Sequence, residues 1–177
     1  MNVGARLAIA TLWLLRWLPA SWQSGMGALV GALAYRLASG RRRVAQRNLE
    51  LCLPALDAAA RERLLREHFR WLGRSIVERG LLWYAPRERL MRLIEVQGDV
   101  SFAERSEAPV MWLVPHFMAL EAAATAVQLF QSRRGATIYQ RQSSPVFDAA
   151  MRAGRERFGD SVLFSRQDSA KPLIRAI

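Results

Sequence analysis

The chain has 177 residues, about the length of one domain with a sizeable buried core. Half of the residues are apolar (51%) and 23% are charged, a composition that excludes a disordered tail, a collagen-like fibre and a protein with many membrane spans. A single cysteine excludes an internal disulfide, and with it the secreted, disulfide-stapled class. The net charge of +11 is strongest near the start, where the first 50 residues hold seven arginines against one acid. This charge is compatible with a polyanionic partner.

Two apolar stretches open the chain, at residues 7–22 and 25–38. Arginines and Pro19 interrupt them, so neither reaches the run of about 20 apolar residues that a spanning helix needs. Three indole rings lie here in a pattern typical of an interfacial anchor: Trp13, Trp17 and Trp22. The arginine tract at 41–43 adds about 1 kcal/mol of attraction per charge to an anionic leaflet. We therefore expect segment 1–40 to associate with a membrane; the alternative is an ordinary pair of core helices.

A long amphipathic helix is predicted after Pro54. Apolar residues recur there at helical spacing: Leu65, Phe69, Leu72 and Ile76. Asp57 is a suitable N-cap, and the stop signals place the end near Gly80 or before Pro86. His68 borders the apolar face, and we interpret it as a packing residue because no second ligand or nucleophile lies at helical spacing from it.

Beyond residue 90, short apolar runs alternate with helical patterns. The candidate strands are 93–97, 109–114, 136–140 and 161–165. The candidate helices are 117–131, 145–158 and a segment from 169 onward. Such alternation implies βαβ crossovers. The predicted fold class is therefore α/β, with a helical N-terminal membrane-anchoring layer followed by a partial, mostly parallel sheet of three or four strands that leaves one edge exposed.

The candidate chemistry lies at the junction of a predicted strand and a predicted helix. His116 stands at that junction, the end of a sheet where α/β folds build their sites. Glu121 is the only charged residue from 117 to 131, and a carboxylate on such an apolar helix needs a hydrogen-bonding partner. His116 is the nearest candidate, provided that it lies outside the helix in the turn that Pro115 begins. We therefore predict a dyad in which Glu121 orients His116 as a general base.

The group that attacks in such a site is expected to come from the substrate. No Ser or Cys lies within a few residues of His116, and no G-x-S-x-G elbow is present in the sequence. A substrate hydroxyl, deprotonated by the imidazole, would then be the attacking group, which implies direct transfer to an acceptor. A metal site is the weaker interpretation, because two histidines 48 residues apart do not form a coordination shell. We expect neither a metal nor a cofactor.

Several blocks of sequence in this order resemble the bacterial lipid A biosynthesis acyltransferases, the late or secondary acyltransferases of the lysophospholipid acyltransferase-like superfamily. The hallmark of these enzymes is an H-x4-D/E dyad, here His116 and Glu121. The other blocks are RRRVAQRNLELCLPAL, EHFRWLGRSIVE, VPHFMALEAA, IYQRQSSPVFDAAMRAGRERFG and LFSRQD. The resemblance covers nearly the whole chain and implies a glycerolipid acyltransferase-like fold, with segment 1–40 as the membrane-associating part and 41–177 as a partial acyltransferase domain.

The resemblance implies an enzyme at the cytoplasmic face of the inner membrane. Its donor would be an acyl carrier protein that carries a fatty acyl thioester, and its acceptor a hydroxyl of a lipid A precursor. His116 would be the base and Glu121 its orienting partner. Arg141 and Arg155, in the Y-x-R and G-R positions of the family, would contact substrate phosphates or the carrier protein.

The chain departs from the family in length, since no P-D-x-D type motif precedes Ile177. We therefore expect an N-terminal part of a longer protein. Two alternatives stay open. One is an acyltransferase for another lipid acceptor, such as a glycerophospholipid or an acylated mannoside. The other is a non-enzymatic basic protein that binds membranes or nucleic acid, although no nucleic-acid-binding motif is visible and we expect no nucleic-acid partner.

Overall fold

The structure is a computed structural model that describes residues 2–168 and 171–176. The helices are α1 (Val3–Leu15), α2 (Ala20–Leu37), α3 (Ser39–Cys52), α4 (Ala58–Tyr84), α5 (Arg87–Leu93), α6 (Phe102–Arg105), α7 (Leu120–Phe130), α8 (Pro145–Arg155) and α9 (Lys171–Ala176). The strands are β1 (Gly135–Tyr139) and β2 (Ser161–Ser165). The chain is thus mostly helical with a small sheet, which confirms the α/β class at that level.

Contacts divide the chain into two compact units. The sheet-containing unit comprises Met1–Arg16 and Arg79–Ile177, and the helical unit comprises Trp17–Glu78. The boundary falls within α4. The predicted division into a membrane-associating segment 1–40 and an acyltransferase segment 41–177 is a functional one and stays a prediction.

The N-terminal helices are α1, with 13 residues, and α2, with 18 residues. Pro19 separates α1 from α2, because proline favours extended backbone before it and has no N–H to donate. Within residues 2–168 and 171–176, none of the helices combines the length and the apolar character needed to cross a bilayer. A membrane-anchoring role for this layer therefore stays a prediction.

Within the helical unit, α2 and α4 pack backbone to backbone. Gly31 faces the Phe69 carbonyl, and a Cβ added at Gly31 would also lie 2.7 Å from the Arg70 Cα. Gly73 opposes the same crossing, where an added Cβ would lie 2.7 Å from the Gly31 Cα. The long amphipathic helix after Pro54 is confirmed as α4, with Leu65 and Phe69 almost fully buried.

The sheet is a single parallel pair in the described residues. β1 and β2 pair from Gly135 opposite Ser161 to Tyr139 opposite Ser165, and α8 makes the crossover between them. Ser144 caps α8 by accepting a hydrogen bond from the Phe147 N–H, and Pro145 occupies its first turn, as predicted. The helix predicted at 117–131 is confirmed as α7.

Two predicted strands are wrong. The strand predicted at 93–97 is absent: α5 extends to Leu93 and buries Leu90, and residues 94–97 are irregular. Residues 109–114 are irregular and largely exposed: Met111 is 91% and Leu113 is 93% accessible. An apolar run becomes a strand only where a neighbouring strand accepts its backbone hydrogen bonds, and β1 and β2 pair with each other instead. In the described residues, the predicted sheet of three or four strands is thus a pair.

The last predicted helix is confirmed in part as α9, which begins at Lys171. Ser169 and Ala170, where that prediction starts, lie outside the described residues. His68, interpreted as a packing residue, is exposed, and its ring makes an edge contact with the Phe69 ring at 5.7 Å between centroids.

The close crossing of α2 and α4 predicts that a glycine-to-alanine substitution changes the free energy of unfolding differently at two positions of α2. Gly31→Ala should lower the free energy of unfolding by about 2 kcal/mol or more, because the added methyl group meets backbone that has no room to move. Gly25→Ala should leave it unchanged or raise it by about 0.5–1 kcal/mol, since nothing lies within 4 Å of the added Cβ. Urea denaturation measures both, and equal effects would contradict the packing described here.

Candidate active site

Glu121 occupies a buried position in the first turn of α7. Its exposed fraction is 9%, and the α7 face that it shares with Thr125 and Leu129 is buried. A carboxylate near a helix N-terminus is favoured by the helix dipole. That effect is too small to offset the desolvation of a buried charge, so Glu121 needs polar partners.

Two side chains from other helices satisfy this carboxylate. Arg155, the last residue of α8, donates from Nε to both oxygens at 3.0 and 3.2 Å, and its Nη2 also donates to Oε1. Trp83, near the end of α4, donates from Nε1 to Oε2 at 3.2 Å. A forked arginine contact of this kind is among the strong charge-assisted hydrogen bonds. The Glu121 carboxylate therefore joins α4, α7 and α8 within the sheet-containing unit.

The electrostatics keep Glu121 ionised. Burial raises the pKa of this carboxyl. The hydrogen bonds and charge of Arg155, together with Trp83 and Arg79, lower it by more than burial raises it, so the net pKa lies below its ordinary value of 4.5. Burial lowers the pKa of Arg79 and the Glu121 charge raises it. The Nε of Arg79 is buried without a hydrogen-bond partner among the described residues. The pair of Glu121 and Arg155 thus lies beside a second, partly buried cation.

His116 lies in a different environment from Glu121. It is exposed, in the irregular stretch that precedes α7, where a turn joins the Phe117 N–H to the Pro115 carbonyl at 2.8 Å. No hydrogen bond or ion pair joins His116 to Glu121 in the described part of the chain. The hydrogen-bonding partner predicted for Glu121 is therefore replaced by Arg155 and Trp83. The dyad of His116 and Glu121, as a catalytic arrangement, stays a prediction.

Arg141 lies at the carboxyl end of the sheet. It follows β1 by two residues and pairs with Asp168, three residues after β2, at 3.2 Å. The Arg141 N–H also donates to the Gln167 side chain at 3.4 Å. A hydrogen bond with Tyr139 and the charge of Asp168 raise the pKa of Arg141. Both side chains of the pair are half exposed, so Arg141 is accessible at the sheet edge where α/β sites form.

The structure brings Glu121 and Arg155 together but leaves His116 and Arg141 with other neighbours. Sequence reasoning missed Trp83 and Arg79, which lie about 40 residues before Glu121 on an unrelated amphipathic pattern. The isolated carboxylate indicated that Glu121 needs polar partners, but this signal did not identify which residues supply them. Among the described residues, no group of three or more His, Cys, Asp or Glu is placed to hold a metal ion.

The buried pair predicts a pH-dependent stability. Because the folded pKa of Glu121 lies below its ordinary value of 4.5, the stabilisation is fully present above about pH 4.5 and is lost as the pH falls through the folded pKa. Arg155→Met should lower the free energy of unfolding at pH 7 by about 3 kcal/mol and flatten its acid limb, since the buried carboxylate loses its main partner.

Arg141→Met is the matched control for this experiment. Its partner Asp168 is half exposed, so the loss should be about 1 kcal/mol at most. Chemical denaturation between about pH 3 and pH 7, a range that includes the ordinary carboxyl pKa, measures the free energy of unfolding of both variants. An Arg155→Met variant as stable as Arg141→Met would contradict the buried pair.

Comparison of the sequence with known proteins identifies a family. The profile described as bacterial lipid A biosynthesis acyltransferase matches residues 2–177. The chain is 30% identical over 173 residues to a lipid A biosynthesis lauroyltransferase of Escherichia coli K12, which covers 97% of this chain and 55% of that protein. A lipid A biosynthesis myristoyltransferase of the same organism is 30% identical over 176 residues, 98% of this chain and 54% of its own.

A third relative, the lipid A biosynthesis palmitoleoyltransferase of Escherichia coli K12, is 30% identical over 157 residues, which is 88% of this chain and 51% of that protein. The chain spans about half the length of the curated relatives that it matches. No solved structure matches it significantly. Since the family profile covers nearly every residue, the chain belongs to the bacterial lipid A biosynthesis acyltransferase family.

Proposed function

We propose that this chain takes part in the transfer of a fatty acyl group from acyl carrier protein to a hydroxyl of a lipid A precursor. The observation that carries the proposal is a buried, ionised Glu121 five residues after an exposed His116, within a chain that belongs to the lipid A acyltransferase family. The names of the relatives, which transfer lauroyl, myristoyl and palmitoleoyl groups in lipid A biosynthesis, support the acceptor class.

His116 acts in this proposal as the general base. The imidazole accepts the proton of the acceptor hydroxyl while that oxygen attacks the thioester carbonyl carbon, which forms the new C–O bond. The C–S bond then breaks, and the imidazolium returns the proton to the leaving thiolate. The ring is exposed, so a lipid acceptor reaches it without displacement of the core.

Glu121 contributes the negative charge that stabilises the imidazolium. Its low pKa guarantees the anion at neutral pH, and Arg155 and Trp83 hold the carboxylate in one orientation. For direct contact, the His116 ring moves from its exposed position toward the first turn of α7, which the irregular backbone of residues 106–119 permits more readily than helix would. Arg155 is then a positioning residue for Glu121, and Arg141 is the accessible arginine for substrate or carrier contacts.

A membrane surface is the proposed location of the reaction, at the cytoplasmic face of the inner membrane. The buried face of α2 consists of polar or small residues, whereas its exposed face carries a continuous apolar stripe. The stripe consists of Trp22, Met26, Leu29, Val30, Leu33 and Leu37, which are 40–81% exposed. Arg36 and the arginine tract at 41–43 follow along the same segment. An apolar helix face bordered by arginines is typical of a helix that lies in the interface of an anionic bilayer.

The first test compares the two histidines of the chain. His116→Ala should reduce acyl transfer to the lipid A precursor by about 10²- to 10⁴-fold, because the general base is removed. His68→Ala is the matched control, since that ring is also exposed and lies on α4. Transfer of a radiolabelled acyl group from acyl carrier protein is measured for both, and circular dichroism confirms that both are folded.

The outcomes discriminate between acceptors as well. Transfer to a glycerophospholipid or an acylated mannoside, but not to the lipid A precursor, would favour the alternative acceptor class. Full turnover by His116→Ala would remove His116 from the mechanism. Absence of transfer by the wild-type chain to all three acceptors would contradict an activity of this chain on its own.

The second test concerns the apolar stripe of α2. Leu29→Ser with Leu33→Ser should weaken binding to phosphatidylglycerol vesicles by tenfold or more, because each leucine contributes about 1 kcal/mol or more of apolar burial. Leu64→Ser with Leu93→Ser is the control, since both leucines are exposed but lie outside α2. Vesicle co-sedimentation measures the partition. An equal loss in the two double variants would show that α2 is not the contact surface.

A further inference from the structure

Three helix ends converge in the sheet-containing unit, away from the sheet edge that holds Arg141. The end of α1 lies against α4, where a Cβ added at Gly80 would lie 2.6 Å from the Leu12 carbonyl oxygen and 3.3 Å from the Leu15 Cβ. The end of α8 also lies against α4, since a Cβ added at Gly154 would lie 2.6 Å from the Trp83 Cδ1. Direct packing of α1 against α8 closes the arrangement.

An arginine follows two of these helix ends, and a third arginine joins them from α5. Arg16 is the residue after α1, and Arg157 comes two residues after α8. Arg89, on α5, donates from Nη1 to the Arg16 carbonyl, which fixes it beside the end of α1. All three are partly buried, and we refer to Arg16, Arg89 and Arg157 as the arginine cluster. Tyr84, the last residue of α4, lies beside Arg157 and is also partly buried.

Arg157 is the informative member of the cluster. Its Nη1 is buried and has no hydrogen-bond partner among the described residues. None of the ion pairs formed in the described part of the chain involves it; the neighbouring Glu156 pairs with Arg152 at 3.5 Å and accepts a hydrogen bond from the Leu163 N–H. The guanidinium stacks over the Phe158 ring at 4.3 Å from the centroid, which holds it in place.

The electrostatics of Arg157 are unfavourable as they stand. Burial lowers the pKa of its guanidinium and the positive charge of Arg16 lowers it further, whereas the Tyr84 hydroxyl raises it. A desolvated cation that faces a second cation is stabilised when an anion enters between them. Arginine forks match phosphate oxygens in a bidentate geometry, and a buried orphan N–H is the donor that such a ligand would satisfy.

We propose that the arginine cluster is a binding site for a phosphate group, with Arg157 and Arg16 as the charged ligands, Arg89 as support and the Tyr84 hydroxyl as an additional donor. The phosphate belongs either to a lipid headgroup or to a small soluble phosphate compound. The site differs from Arg155, which Glu121 already occupies, and from Arg141, which pairs with Asp168. It does not depend on the proposed acyl transfer, because its test measures binding alone.

The experiment titrates the 177-residue chain with inorganic phosphate at constant ionic strength, balanced with sodium chloride, and follows the melting temperature and the heat of binding. Wild type should show a saturable stabilisation, because a ligand that binds only the folded state raises its stability by mass action. Arg157→Gln should raise the Kd at least tenfold, since it removes a charge-assisted fork. The Kd of Arg157→Lys should lie between those of wild type and Arg157→Gln, because lysine retains the charge but lacks the guanidinium fork.

Arg70→Gln is the matched control, since it removes the same charge from an exposed arginine of α4 in the helical unit. Its Kd should equal that of wild type. An equal loss in Arg70→Gln and Arg157→Gln, or an unchanged Kd in Arg157→Gln, would overturn the proposal. If circular dichroism shows that Arg157→Gln does not fold, Arg89→Gln replaces it and should also weaken binding.

The source of the phosphate is identified with vesicles of phosphatidylcholine that contain either phosphatidic acid or no anionic lipid. If Arg157→Gln weakens binding to phosphatidic acid as strongly as it weakens binding to inorganic phosphate, the site is assigned to a lipid headgroup. Dependence on Arg157 for inorganic phosphate alone would assign it to a soluble phosphate compound. Either result supports the site. If binding depends on Arg157 in neither experiment, the proposal is contradicted.

Discussion

The burial of one carboxylate organises the sheet-containing unit. Glu121 lies on an otherwise apolar helix, and an ionised group there requires a cation and hydrogen-bond donors. Arg155 at the end of α8 and Trp83 near the end of α4 supply them, so the three helices are held by one polar contact that has few alternatives. Gly154 allows this arrangement, because any side chain there would overlap the Trp83 ring. The packing of α8 on α4 and the electrostatics of Glu121 are therefore one constraint.

That constraint changes the role expected of each predicted site residue. Arg155 holds this carboxylate whether or not an imidazole approaches and keeps its pKa below the ordinary value, so Glu121 is ionised at neutral pH. Arg155 is paired with Glu121, and its predicted contact with substrate phosphates or the carrier protein stays a prediction. A substrate phosphate that recruited Arg155 would leave Glu121 with the Trp83 hydrogen bond and the nearby charge of Arg79. Arg141, half exposed at the end of β1, carries no such cost.

The sequence predicted the local elements well where a local signal exists. Leu65 and Phe69 at helical spacing identified α4, and Pro145 after Ser144 marked the start of α8. The apolar run at 109–114 was misleading, because a strand depends on a neighbour that no local pattern specifies. The same limit explains the site: the isolation of Glu121 signalled a missing partner, but Arg155 is 34 residues away and Trp83 is 38, and only the packing of helices selects them over the nearby His116.

Arginine content by itself is uninformative in this chain, since 25 of the residues are arginine and most are exposed. Among the partly buried arginines, the presence or absence of a carboxylate partner has different physical consequences. The Arg155 side chain is 25% exposed and is paired with the Glu121 carboxylate, so it stabilises the fold. Arg157 is partly buried, lies near the like charge of Arg16 and has a buried N–H without a hydrogen-bond partner. Its desolvation is therefore not offset by a hydrogen bond or an ion pair among the described residues. The simplest explanation for such a cation is an anion that binds it. An arginine paired within the protein is structural, whereas a partly buried arginine without a partner is a candidate for ligand binding.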